Sequence, residues 1–98
     1  MIRILINRTL LQDKQQQYRQ LMRQLKHKAS QVPGYLSGEV LVDSENSVNS
    51  LVMSNWQDVK SWNNWTNSEQ RKATGELIRE MLQCDEKISV YQIDEFKD

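Results

Sequence analysis

Several residue types are nearly missing from this 98-residue sequence, which has one cysteine, one histidine, one proline, three glycines and one phenylalanine. Cys84, as the one cysteine, cannot close an intramolecular disulfide, and nothing beside it in the sequence depresses a thiol pKa, so it reads as a small structural or exposed thiol. His27 alone cannot supply a histidine-rich metal centre, which excludes structural zinc, and its position off the apolar stripe of its segment makes it an exposed helix histidine. Gly34, Gly38 and Gly75 are spaced as isolated turn or packing glycines, so there is no phosphate-cradling loop and no dinucleotide fingerprint. A haem-attachment motif is absent too. Net charge is lacking as well: 13 Lys and Arg balance 13 Asp and Glu, and the basic residues are scattered, which disfavours nucleic acid and anionic membranes as partners. The only apolar run near the start, Ile4 to Ile6, is far too short for a signal peptide or a membrane span, and the expected location is cytoplasmic. At this length one domain is expected over residues 1–98, with a core small enough to gain from packing against a second copy, so a homodimer is expected.

What the chain does have is a concentration of tryptophan. Trp56, Trp62 and Trp65 all fall between Asn55 and Lys72, in a protein otherwise poor in aromatics. One account is that Trp56 closes a strand while Trp62 and Trp65 dock a short helix on the core, since a buried indole contributes strongly wherever its N–H finds a partner. The other is that one of these rings lines a small-molecule pocket.

The periodicities order the chain. Ile2, Ile4 and Ile6 alternate with Arg3, Leu5 and Asn7, which predicts a strand from Ile2 to Leu10 with one strongly apolar face. Asn7 shares the other face with Leu5; it either bonds to a neighbouring backbone, sits at a solvated edge, or serves a site. Tyr18, Leu21, Met22, Leu25 and Ala29 recur at spacings of three and four, predicting a helix over about Asp13 to Gln31, with Asp13 as N-cap and Pro33-Gly34 as its stop. Tyr35 to Asp43 reads as a strand with Leu36, Val40 and Val42 on one face and Tyr35, Ser37, Glu39 and Leu41 on the other. Gly38 marks a place where a neighbour approaches closely. Val48 to Trp56 is its antiparallel partner, with Ser50, Val52, Ser54 and Trp56 sharing a face and Leu51 and Met53 opposite.

Asp58 caps a short helix, Val59 to Trp65, with Val59, Trp62 and Trp65 facing inward. Thr66 or Ser68 restarts a helix, Thr66 with Glu69 having the form of a capping box, and Ala73, Leu77, Ile78, Met81 and Leu82 make its apolar stripe. Gly75 within it allows close packing or leaves a hole. Ile88 to Phe96 is the last strand, followed by an acidic tail. Strand, helix, strand, strand, helix, strand is the split βαβ arrangement called ferredoxin-like: α+β, one four-stranded antiparallel sheet with helices on one face. The other sheet face, half apolar, is of the kind a second subunit covers.

In these features the chain resembles the antibiotic biosynthesis monooxygenase (ABM) family of dimeric α+β barrel proteins. The resemblance runs over nearly the whole chain: the early strand carrying Asn7, Val32-Pro33-Gly34-Tyr35 leading into the second strand, the strand ending in Trp56, Trp62-x-x-Trp65, Ser68-Glu69-Gln70-Arg71, and a final strand around Val90-Tyr91. It implies a homodimer in which each subunit keeps a pocket between helices and sheet. It also implies oxidation of a quinol- or anthrone-like small aromatic by molecular oxygen, with no metal or other cofactor. The chemistry is coherent: a substrate that ionises to an electron-rich anion passes an electron to oxygen itself, and the protein holds and stabilises that anion. On this resemblance Asn7 and Trp65 are the matching catalytic positions, with Met53, Trp56 and Trp62 as pocket walls and Tyr18 as helix-face core. A haem-degrading branch uses an Asn, a Trp and an iron-ligating His; Gly75, ten residues beyond Trp65, stands where that His would be, so haem degradation is disfavoured. No general base is evident, which keeps open a second reading, a non-catalytic dimeric module of the same fold that binds a small ligand or a partner.

Overall fold

A computed structural model of the chain describes residues 1–96, leaving residues 97 and 98 of the acidic tail outside the described residues. The elements are strand β1 (Ile2–Thr9), a 3-10 turn (Gln12–Lys14), helix α1 (Gln15–Ala29), strands β2 (Tyr35–Val42) and β3 (Asn49–Trp56), helices α2 (Val59–Thr66) and α3 (Glu69–Arg79), and strand β4 (Lys87–Gln92). The sheet order is β2-β3-β1-β4 with every neighbouring pair antiparallel, so the expected ferredoxin-like α+β arrangement is the fold. β1 is central, and its register sets the two faces. Ile2, Ile4, Ile6 and Arg8 lie opposite Trp56, Ser54, Val52 and Ser50, while Arg3, Leu5 and Asn7 lie opposite Asn55, Met53 and Leu51.

The first set faces the helices. Ile2, Ile4 and Ile6 pack with Ala29 of α1 and with Trp56, Trp62 and Trp65. A second cluster joins Leu10, Val48 and Ile78 to Tyr18 and Met22 of α1. Ile4 and Ile78 are fully buried, and burial of a side chain of this size contributes about 2 kcal/mol. The α1 stripe is as its spacing predicts, with Tyr18, Met22 and Ala29 buried and Leu21 and Leu25 half-buried. Asp58 caps α2 as expected: its carboxylate accepts from the Ser61 backbone N–H at 2.8 Å and from the Ser61 hydroxyl at 2.7 Å.

Local differences from the sequence reading have local causes. β1 ends at Thr9, and Leu10 makes an isolated bridge to Leu82. Asp13 is not a cap: the chain enters α1 through the 3-10 turn, and Lys14 at the N-cap position offers no side-chain bond. Ser68, rather than Thr66, starts α3, accepting from the Arg71 backbone N–H at 3.2 Å and donating to the Trp65 carbonyl at 2.7 Å. A bulge between Tyr35 and Ser37 shifts the register of β2, so Tyr35 lies opposite Trp56 on the helix side instead of sharing a face with Ser37 and Glu39. Val59 is exposed. In α3 the buried face is Arg71, Thr74 and Ile78, while Ala73 and Leu77 point out. The ground opposite that helix is itself partly charged, so a polar side chain takes the inward place. β4 is shorter than the alternation predicts, and Phe96 is exposed.

Candidate functional site

Between the helices and the inner sheet face lies an apolar hollow walled by Trp56, Trp62, Trp65, Tyr35, Met22 and Val52. It holds about 520 Å³ of empty space counting its open mouth, with an inner cavity of about 60 Å³. A dry cavity of roughly 150 Å³ is enough for benzene, so admitting an aromatic ring requires this wall to give. Met22 and Lys26 are among the long unbranched side chains that line it, the kind that repack most readily.

The aromatic wall is interlocked. Tyr35 meets Trp56 edge-on with centroids 5.3 Å apart, and Trp56 meets Trp62 in the same manner at 5.7 Å. The Trp56 indole N–H donates to Ser54 Oγ at 3.0 Å and is therefore spent on the sheet. No hydrogen bond among the described residues engages the indole N–H of Trp65. The Tyr35 hydroxyl stands against Gly38: a Cβ at position 38 would lie 2.5 Å from it, which is the close approach the glycine permits. Burial holds the Tyr35 phenol above its ordinary pKa, keeping it a neutral donor at physiological pH.

The other end of the hollow is polar. Arg8 follows Ile2, Ile4 and Ile6 in the inward parity of β1, which carries a guanidinium into the core. Its side chain is 1% exposed. Nη1 donates to the Tyr18 hydroxyl at 3.0 Å and reaches Met22 Sδ at 3.6 Å, while Nη2 meets Glu86 Oε2 at 3.4 Å. The Tyr18 hydroxyl in turn lies 3.2 Å from Ser50 Oγ, the residue opposite Arg8 in the sheet. Arg8 Nε has no partner among the described residues. Arg71 is buried and lines the same hollow; burial, then the charge of Arg8, holds its proton affinity below the usual arginine range, with Glu86 opposing them. Gly75 accommodates this guanidinium, since a Cβ there would come within 3.1 Å of Arg71 Nη1. Two buried cations, Arg8 and Arg71, face one carboxylate, Glu86, leaving an excess positive charge. Trp62 and Arg71 also border a larger, more open hollow, about 810 Å³ counting its open mouth, between α3 and β4, which Lys72, Arg79 and Glu86 help to line.

Of the residues singled out from the sequence, Trp56, Trp62 and Trp65 are brought together on this wall. Asn7 is not among them. It is exposed on the opposite sheet face, in a shallow groove with Leu41, Asp43 and Leu51, so Asn7 and Trp65 do not converge within one chain. Alternation is the cause: with Ile2, Ile4 and Ile6 inward, Arg8 takes the inward place and Asn7 cannot. Met53 borders the hollow, yet its register opposite Leu5 and Glu39 assigns its side chain to the outward face. Tyr18 is core, as expected, and also holds Arg8. His27 is exposed on α1 and Cys84 is an exposed free thiol. Arg8, Arg71 and Glu86 were not singled out; the signal for Arg8 was its parity, a charge continuing an isoleucine series.

Among solved structures, the chain is similar to a conserved protein of Methanosarcina mazei Go1, with 22% identity, 95% of this chain and 92% of that one covered, and a TM-score of 0.91. It is similar to an antibiotic biosynthesis monooxygenase candidate of Deinococcus radiodurans at 16% identity, covering 100% and 97%, with a TM-score of 0.90. It is also similar to SnoaB, a cofactor-independent oxygenase from Streptomyces nogalater, at 8% identity, covering 97% and 95%, with a TM-score of 0.84. At these identities the likeness speaks for the fold. No curated protein matches the sequence. The pattern of the antibiotic biosynthesis monooxygenase family matches residues 1–77, well over half of the chain, and the protein belongs to that family.

Proposed function

We propose that this protein is a cofactor-independent monooxygenase that oxidises a small quinol- or anthrone-like aromatic with molecular oxygen. It is one domain over residues 1–98 and acts as a cytoplasmic homodimer. The observation that carries the reading is the tryptophan-walled hollow between helices and sheet, whose lining includes Tyr35, with a neutral hydroxyl, and Trp65, whose N–H no hydrogen bond among the described residues engages. These are donors suited to a developing oxyanion on a ring held against the indoles. Among the described residues the lining offers no imidazole; Lys26 and Glu39, which border the hollow, are exposed, and the Glu86 carboxylate at its polar end is paired with Arg8. The substrate therefore ionises by its own acidity. Its anion gives an electron to oxygen, the two radicals combine at carbon, and the resulting peroxide anion takes back a proton from solvent, equal to the one lost on ionisation, before the hydroperoxide loses water. One oxygen atom ends in the product and the other in that water. The second copy is supported by the outward sheet face, where Leu5, Leu41, Leu51 and Met53 lie partly exposed.

Oxygen uptake by chelator-treated protein on a panel of anthrones, hydroquinones and catechols tests this. Uptake should saturate with substrate and fall about tenfold or more in Trp65→Phe, which keeps an aromatic ring but loses the donor. Asn7→Ala, on the opposite face, should change it less than about twofold. Absence of saturable uptake on every compound, or a Trp65→Phe variant equal to the parent, would favour the non-catalytic ligand-binding module instead.

A further inference from the structure

An apolar hollow would be complete without a charge, yet this one ends in two buried arginines. Arg8 is carried there by strand parity, and its environment does not satisfy it: one carboxylate oxygen at 3.4 Å, one phenol, one thioether, and an Nε–H with no partner among the described residues. A buried guanidinium with an idle donor carries a desolvation cost that this geometry does not offset. Arg71 adds a second guanidinium on the same wall, and the carboxylate of Glu86 balances only one of the two. The excess therefore amounts to a single positive charge.

We propose that this end of the hollow is a carboxylate subsite, in which Arg8 and Arg71 hold the ionised carboxylate of an aromatic ligand whose ring lies against Trp56, Trp62 and Trp65. Guanidinium presents paired N–H donors that match the two oxygens of a carboxylate, and the idle Nε–H of Arg8 becomes one of them. A monoanion matches the excess charge. Phosphate, largely a dianion at neutral pH, exceeds that charge and has no ring to lie against the indoles. The sheet register supports the division of labour: the Tyr35 hydroxyl stands over Gly38, level with Ile4, and Arg8 is four residues further along β1, roughly 13 Å at about 3.3 Å per residue. A ring therefore has a neutral donor toward one end and cations toward the other. Arg71 also borders the open hollow beside α3, which places it between the subsite and solvent. The inference rests on the reading of the hollow as an aromatic site and narrows the substrate class to aromatic hydroxy acids.

Binding, rather than turnover, tests it. Anaerobic titration calorimetry on the intact protein in chloride-free buffer compares gentisate, a carboxylated hydroquinone, with its neutral analogue 2,5-dihydroxybenzamide. Gentisate should bind at least tenfold more tightly, and Arg71→Gln should bring the ratio of the two below threefold. Arg8→Met should do the same, with thermal unfolding confirming that it is folded. Inorganic phosphate at tenfold excess should leave gentisate affinity within twofold. Equal affinities for acid and amide, no gentisate binding at millimolar concentration, a ratio that survives Arg71→Gln, or full competition by phosphate would each overturn the proposal. The two readings fail separately. Selective gentisate binding without oxygen uptake upholds the subsite and counts against the oxygenase, whereas oxygen uptake on hydroquinones without acid selectivity does the reverse.

Discussion

Arg8 is held by contacts that are each of modest strength. Replacing it by methionine removes the desolvation cost of the guanidinium and places a flexible apolar chain beside Met22, while Tyr18 keeps its hydroxyl contact with Ser50 and the part-exposed Glu86 turns to water. Arg8→Met should therefore leave unfolding free energy within about 1 kcal/mol of the parent, or raise it, in urea titrations. A loss of about 3 kcal/mol or more would make Arg8 a structural keystone and weaken the case that it is kept for a ligand. The same residue shows how much of the site was legible in sequence. The tryptophan wall was readable, because three large rings in one short segment have to share a space. Asn7 drew attention through the family resemblance, although the isoleucine alternation already assigned it outward and Arg8 inward. Glu86 lay beyond reach, since its meeting with Arg8 is made by the fold across 78 positions of sequence.

The caps of the helices carry a pH dependence that belongs to the elements. Asp58 sits below the ordinary carboxylate pKa because the Ser61 hydroxyl and then the Ser61 backbone N–H bond to its charged form. A carboxyl depressed in the folded state contributes stability above its unfolded pKa and loses that contribution as pH falls through the folded value. The parent should thus lose thermal stability as pH falls below about 4, and Asp58→Asn, which caps without titrating, should lose less over the same interval. Identical slopes for the two proteins in thermal melts would contradict the assignment. Element order and the α1 stripe were readable because strong periodicities have one packing solution. Two faces were not. The bulge at Leu36 adds a residue that no alternation announces, and it turns Tyr35 toward the hollow. The inward face of α3 follows Arg71 and Thr74 instead of Ala73 and Leu77, because the surface it meets includes Arg8 and Glu86, and hydrophobic spacing cannot register a polar neighbour from another element.

For the molecule as a whole, the sheet divides two tasks. Its inner face, with α1, α2 and α3, builds a hollow that is aromatic along one wall and cationic at one end, and its outer face carries partly exposed leucines and Met53. No helix among the described residues is long and apolar enough to cross a membrane. The hollow is tight, so ligand binding and wall movement are linked, and on the proposed reading a substrate is enclosed rather than laid on a surface. Enclosure matters for an anion that must meet oxygen before water quenches it. The most direct measurement is isotopic: anthrone is oxidised by the chelator-treated protein under labelled oxygen gas, beside a protein-free control and Trp65→Phe, and the product is weighed by mass spectrometry. The account predicts an enzyme-dependent product carrying one labelled oxygen atom, the other appearing in water, and little of it from Trp65→Phe. Product without label, peroxide formed in step with oxygen consumed, or a yield no greater than the control would contradict it.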